Sequence, residues 1–130
     1  MIVVDSSVWI GQLRRAETPA VVKFKEIDEP YDNILVGDLI LLEVLQGARD
    51  NAHAGSLERK LRNFAIEPML DQTIAVKAVA NYRMLRGLGI TIEKTVDLII
   101  ATFCVERGHS LLHDDRDFDV MAPHIGLRVV

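Results

Sequence analysis

At 130 residues, 49% of them hydrophobic, the chain suits one domain (residues 1–130) with a real buried core, and no second domain is expected. A net charge of −4, from 15 Lys and Arg against 19 Asp and Glu, argues at face value against a polyanionic partner. The single cysteine, Cys104, excludes an internal disulfide. No basic N-terminal region precedes an apolar run, and uncharged stretches fall far short of the roughly 20 residues that span a bilayer, so a soluble cytoplasmic protein with no membrane partner is expected.

In chain order, residues 2–4 read as a short buried strand, after which Ser6 and Ser7 can cap a helical turn through Val8, Trp9, Ile10 and Leu13. Residues 18–28 read as a helix with Thr18 as cap and Pro19 in its first turn. Residues 33–36 form a second strand. Asp38 opens an apolar helix to about Arg49, residues 51–63 form a more charged helix, and residues 65–67 form a short strand. A long helix over residues 71–87 places Ile74, Ala75, Ala78, Val79, Tyr82 and Leu85 inward and ends on Gly87 as a left-handed cap. Residues 95–108 repeat that design with Val96, Ile99, Ile100, Phe103 and Cys104 inward, which makes Cys104 a buried free thiol. Residues 110–112 and 127–129 complete the set as strands. Short, continuously apolar strands separated by helices predict an α/β fold whose parallel sheet is covered on both faces.

Four carboxylates interrupt or close these apolar runs. Asp5 follows Met1-Ile2-Val3-Val4, Glu43 sits within Leu39-Ile40-Leu41-Leu42-Glu43-Val44-Leu45, Asp97 precedes Leu98-Ile99-Ile100-Ala101, and Asp115 follows Leu111-Leu112. An ionised carboxylate removed from water needs a cation or a shifted pKa. The four apolar runs contain no basic residue, which points to a divalent metal. Asp5 and Asp115 both stand just past a predicted strand, where open parallel sheets gather their ligands. Oxygen-only ligation suits Mg²⁺ or Mn²⁺, and the histidines at 53, 109, 113 and 124 lack zinc-site spacing. Such ions hold a phosphodiester and activate a water for in-line attack. Setting aside Asp5, Glu43, Asp97, Asp115 and Asp117 leaves 15 basic against 14 acidic residues, and ten of the basic ones are Arg, so a nucleic-acid partner stays open. Each acid alone also has a structural reading: Asp5 as a helix cap, Asp97 as a first-turn acid, Glu43 as half of an ion pair, Asp115 and Asp117 as part of a solvated loop.

Asp5-Ser6-Ser7 after an N-terminal strand, Glu43 in the third helix, Thr95-Val96-Asp97-Leu98-Ile99-Ile100-Ala101, and Leu112-His113-Asp114-Asp115-Arg116-Asp117-Phe118, in this order, resemble the PIN-domain nucleases. The likeness is greatest to VapC-type toxins of prokaryotic toxin-antitoxin pairs and covers the whole chain. The resemblance implies a three-layer α/β/α sandwich with a mainly parallel five-stranded sheet. It implies Mg²⁺- or Mn²⁺-dependent endoribonuclease activity on an RNA substrate, a homodimer, and inhibition by a cognate antitoxin. It makes Asp5, Glu43, Asp97 and Asp115 the catalytic, metal-binding quartet, Asp117 a further acid, and Ser7 a supporting hydroxyl that orients Asp5 or a metal-bound water. Many relatives carry Thr or Ser two residues before the fourth acid; this chain has His113, which can contact a phosphate, bias metal choice or be a loop imidazole.

For substrate grip the candidates are Arg14, Arg15, Arg49 and Arg116, within a dozen residues of the acids in sequence. Trp9 and Phe118 read as core rather than base-stacking platforms. Trp9, Ile10, Leu13, Leu42 and Leu45 are expected to form part of the antitoxin contact. Three rivals stand beside this reading. A phosphoacceptor receiver needs an acidic pair after the first strand, where Ser6 and Ser7 stand, and a late lysine that the last strand lacks. A haloacid-dehalogenase-type phosphatase needs Asp at the position of Ser7. The third is a catalytically inactive PIN-like interaction module.

Overall fold

A computed structural model describes residues 1–27 and 33–130. Its strands β1 (Ile2–Val4), β2 (Ile34–Gly37), β3 (Ala65–Glu67), β4 (Ser110–Leu112) and β5 (Arg128–Val129) form one sheet in the order β3-β2-β1-β4-β5. Every neighbouring pair is parallel. Val3, Val4, Ile34, Leu35, Val36, Leu111 and Leu112 are buried, which is why the central strands read as unbroken apolar runs rather than alternating ones.

Right-handed crossovers decide which face each helix covers. From β1 through β2 to β3 the chain moves steadily toward one edge, so α1 (Ser6–Leu13), α2 (Pro19–Glu26), α3 (Asp38–Gln46) and α4 (Asn51–Leu61) belong to one face. It then returns past β1 to β4 and β5, which sends α5 (Gln72–Gly87), α6 (Thr95–Arg107) and α7 (Arg116–Ile125) to the other. Packing follows that division: α1 touches α2 and α3, α3 touches α4, and α5, α6 and α7 touch one another. The expected three-layer α/β/α sandwich is observed, with a sheet that is wholly parallel.

Helix α6 is the central core element, with every residue from Asp97 to Cys104 buried. Burial pushes the Cys104 thiol up to about 12, so it stays a neutral core group. Trp9 is also core: its indole N–H donates to the Val4 carbonyl at 3.0 Å, and it meets Phe24 and Phe64 edge-on at 5.0 and 5.2 Å. Phe118 is fully buried.

Several element ends differ from the sequence reading. Helix α2 has the Thr18 cap and Pro19 start but ends at Glu26, and residue 28 lies outside the described residues. Helix α3 stops at Gln46 rather than Arg49. Gly87 is still helical, and the left-handed glycine is Gly89, at φ 78°. Ala75 and Val79 are exposed, because α5 buries only a narrow stripe of Ile74, Ala78 and Leu85. Helix α7 was not anticipated. Its acid-rich first turn reads as a loop, yet Asp115 is a true N-cap and Asp117 and Asp119 favour the positive end of the helix dipole.

Candidate metal centre

The sheet order creates one switch point, between β1 and β4. Chain leaving β1 turns toward one face and chain leaving β4 toward the other, so a cleft opens past their carboxyl ends. Val4 pairs with Leu112, and the Asp5 N–H extends the ladder to the Leu112 carbonyl at 2.9 Å. Asp5 and the His113–Asp115 turn therefore emerge side by side from residues 110 positions apart. Helix α3 brings Glu43 from one face, and the N-terminal turn of α6 brings Asp97 from the other.

Asp97, Asp115 and Asp117 each place a carboxylate oxygen within 4.8 Å of the others. Asp5 and Glu43 join them electrostatically: Asp115 raises the pKa of Asp5, and Asp5 raises that of Glu43. Asp5 is only 3% exposed and caps α1, with Oδ2 accepting from the Ser7 N–H at 3.1 Å and from the Ser7 hydroxyl at 2.6 Å. The cap accounts for one oxygen alone. Oδ1 of Asp5 is buried with no hydrogen-bond partner, and so is Oδ2 of Asp97.

Burial is the main cause of raised pKa values for Asp5, Glu43 and Asp97. Hydrogen bonds from Ser7 moderate the shift of Asp5, and the Ser6 hydroxyl, which donates to Glu43 Oε1 at 3.2 Å, moderates that of Glu43. Asp97 is pushed up to about 7 by burial and then by the charges of Asp115 and Asp5, with Lys94 opposing. Burial and mutual repulsion make it costly for these three acids to be ionised together.

The supporting groups are held by specific bonds. Ser7 Oγ, while donating to Asp5, accepts from the Asp114 N–H at 3.0 Å. His113 is buried, and its Nδ1 accepts from the Asp115 N–H at 3.1 Å, which leaves the proton of the neutral ring on Nε2. That Nε2 lies 3.3 Å from Asp119 Oδ1 but outside hydrogen-bond geometry. Phe118 packs on the ring at 5.1 Å. Asp115 Oδ1 accepts from the Asp117 N–H at 3.0 Å as the cap of α7.

Not every residue named from sequence converges here. Arg116 begins α7 beside Asp115 and lines a cleft of about 370 Å³ with His113, Asp119 and Lys23. Arg14 caps the far end of α1, about 13 Å along the helix axis from Asp5 at 1.5 Å per residue. It shares a separate groove of about 250 Å³ with Arg49, Ile10 and Leu13. Arg15 follows it, exposed, in the left-handed region at φ 56°. Trp9, at 1% exposure, offers no surface to a partner, whereas Leu13 and Leu42 are 38% and 55% exposed.

Sequence reasoning missed two residues. Ser6 was given only a capping role, although its hydroxyl serves Glu43. Lys94 was overlooked because it lies outside the apolar runs; its Nζ stands 3.7 Å from Asp115 Oδ2. The available signal was its spacing, one helical turn before Asp97.

Whether a divalent metal fits can be judged from these groups. Two buried oxygens lack donors, three carboxylates converge, and the donors are all oxygen, the set preferred by hard cations. The residues fit.

Comparison with known proteins identifies the family. The family model described as PIN domain matches residues 2–122. VapC ribonuclease Mb1587 of Mycobacterium bovis and ribonuclease VapC11 of Mycobacterium tuberculosis are each 33% identical to the chain over 124 residues, covering 94% of it and 92% of the relative. Among solved structures, the VapBC2 complex of Rickettsia felis bound to a promoter DNA fragment contains a chain that superposes with a TM-score of 0.76. Identity is 15%, with 100% of this chain and 98% of that one covered, a likeness of fold alone. With the family model spanning nearly the whole sequence and a third of positions shared with curated relatives across that length, the chain belongs to the PIN-domain family.

Proposed function

We propose that this protein is a Mg²⁺- or Mn²⁺-dependent endoribonuclease, a single nuclease domain acting in the cytoplasm as the toxin of a type II toxin-antitoxin pair. The observation that carries this reading is the pair of buried, donorless oxygens, Asp5 Oδ1 and Asp97 Oδ2, beside Asp115 and Asp117 at the switch point of the sheet. The mycobacterial relatives are named ribonucleases, which supports RNA as the substrate. A structure of the same fold from Klebsiella pneumoniae is described as a toxin-antitoxin complex, which supports a cognate antitoxin as partner. Among the described residues no helix is long and apolar enough to cross a membrane. A homodimer is part of the same reading.

Asp5, Glu43, Asp97, Asp115 and Asp117 would hold the metal. When bound, it would supply Lewis-acid stabilisation of the phosphate and lower the pKa of the attacking water. The chain's own groups do the rest. Ser7 holds Asp5 through Oδ2 and leaves Oδ1 without a hydrogen-bond partner, Ser6 anchors Glu43 through Oε1, and the Asp117 N–H fixes Asp115. His113 sets the turn that carries Asp115 by accepting its N–H. Arg116, which lines a neighbouring pocket together with Asp115, is the candidate to receive the substrate backbone. Arg14 and Arg49, with Ile10 and Leu13, form a basic and apolar groove suited to the antitoxin rather than to the scissile phosphate.

The test is 5′-end sequencing of a total RNA pool incubated with the purified protein and Mn²⁺. New ends that appear with the wild type and vanish both with chelator and with Asp5→Asn are expected. A pool left intact by a folded, metal-loaded wild type overturns the nuclease reading.

A further inference from the structure

Lys94 is the only Lys or Arg side chain among the described residues that forms an ion pair with the carboxylate cluster. Its backbone is fixed: it is the N-cap residue of α6, and its carbonyl accepts from the N–H groups of Asp97 and Leu98 at 3.1 and 3.4 Å. Its head is not fixed. The side chain is 67% exposed and reaches Asp115 Oδ2 at 3.7 Å, a loose ion pair. A cation on a long flexible stem, anchored one turn from Asp97 and lying at the open side of the cluster, is suited to two anions in turn.

We propose that Lys94 is a substrate-phosphate ligand, held over Asp115 until a divalent cation takes the carboxylates and then free to bind the RNA backbone beside the scissile bond. This rests on the nuclease reading and adds a residue to it. Charge supports the exchange. A divalent cation among the carboxylates repels the Lys94 ammonium, and the nearest anion left is the phosphate that the same cation attracts. Arg14 and Arg49 lie on another groove and cannot replace it there.

The experiment compares wild type, Lys94→Ala and Lys94→Arg in two titrations. Calorimetry with Mn²⁺ alone reports competition for the carboxylates. Fluorescence anisotropy with a short single-stranded RNA of random sequence, in Ca²⁺ with the RNA checked intact by gel, reports substrate grip. Lys94→Ala should bind Mn²⁺ about threefold tighter or more, because a like charge has gone. The same variant should bind RNA roughly fivefold more weakly, with the slope of log affinity against log salt reduced by about 0.7, the contribution of one single-strand phosphate contact. Lys94→Arg should restore both RNA values. Unchanged RNA affinity and slope in Lys94→Ala, with a wild type that does bind RNA, overturn the proposal and leave the nuclease reading intact. A wild type that binds Mn²⁺ but not RNA overturns both.

Discussion

The hydroxyl of Ser7 joins the two halves of the site: it donates to Asp5 at 2.6 Å and accepts from the backbone N–H of Asp114, 107 positions away, at 3.0 Å. One side chain thus sets both the rotamer of the first acid and the path of the turn that delivers the last two. Ser7→Ala should leave the Asp114 N–H without its acceptor and release Asp5, costing about 1–2 kcal/mol of stability. It should also weaken Mn²⁺ binding. Urea melts and metal titration check this, with Ser7→Thr expected to recover most of the loss; an unaltered melt and an unaltered metal affinity would remove Ser7 from the machinery.

Asp97 makes the metal-free protein sensitive to pH. Its folded-state pKa of about 7 lies above the ordinary value of 3.8, so between these values the folded chain keeps a proton that the unfolded chain has released. The stability associated with that proton is complete below the lower value and is lost as pH rises through about 7. Melting temperature in chelator should therefore fall between about pH 5 and about pH 8. Asp97→Asn should flatten the trend and melt roughly 3 °C or more higher at the alkaline end. A flat wild-type profile would mean that Asp97 ionises without penalty.

At His113, the shape of the side chain matters more than its charge. Nδ1 accepts the Asp115 N–H, a task an Asn carbonyl can take over and a Leu cannot. His113→Leu should lose about 1–3 kcal/mol through the stranded donor and weaken Mn²⁺ binding, while His113→Asn should keep most of the metal affinity. Equal metal affinity in both variants would reduce the ring to packing against Phe118.

The proposed antitoxin contact narrows to what is exposed. Leu13 and Leu42 remain available and Trp9 does not. Leu13→Asp should weaken the complex with the cognate antitoxin at least tenfold, the loss of one good apolar anchor at an interface, while leaving melting temperature and Mn²⁺ binding unchanged. Wild-type antitoxin affinity in that variant would discard this groove.

The central strands were legible because each is a continuous apolar run with a carboxylate at or near its end, and Asp5 and Asp115 could be located from that break alone, whereas Asp97 showed as the acid that opens the apolar run of α6. The supporting bonds were not legible. Nothing in Ser6-Ser7 says that one hydroxyl serves Glu43 and the other Asp114, since the first contact depends on α1 packing against α3 and the second on β1 and β4 being neighbours. Helix α7 was hidden by its own chemistry: acids that favour the positive end of a helix also look like a solvated loop. Arg14 and Arg15 stand apart for a related reason, because nearness in sequence to an acid at one end of α1 places them at the other end.

The central claim is that Asp5, Asp97 and their neighbours hold a divalent cation, and calorimetric titration of Mn²⁺ into folded wild type and folded Asp97→Asn tests it without needing a substrate. Saturable binding to the wild type that is lost in Asp97→Asn is the predicted result. Failure of the folded wild type to bind, or equal binding by the variant, would contradict the account and leave the acids as helix caps and ion-pair partners in a PIN-domain interaction module.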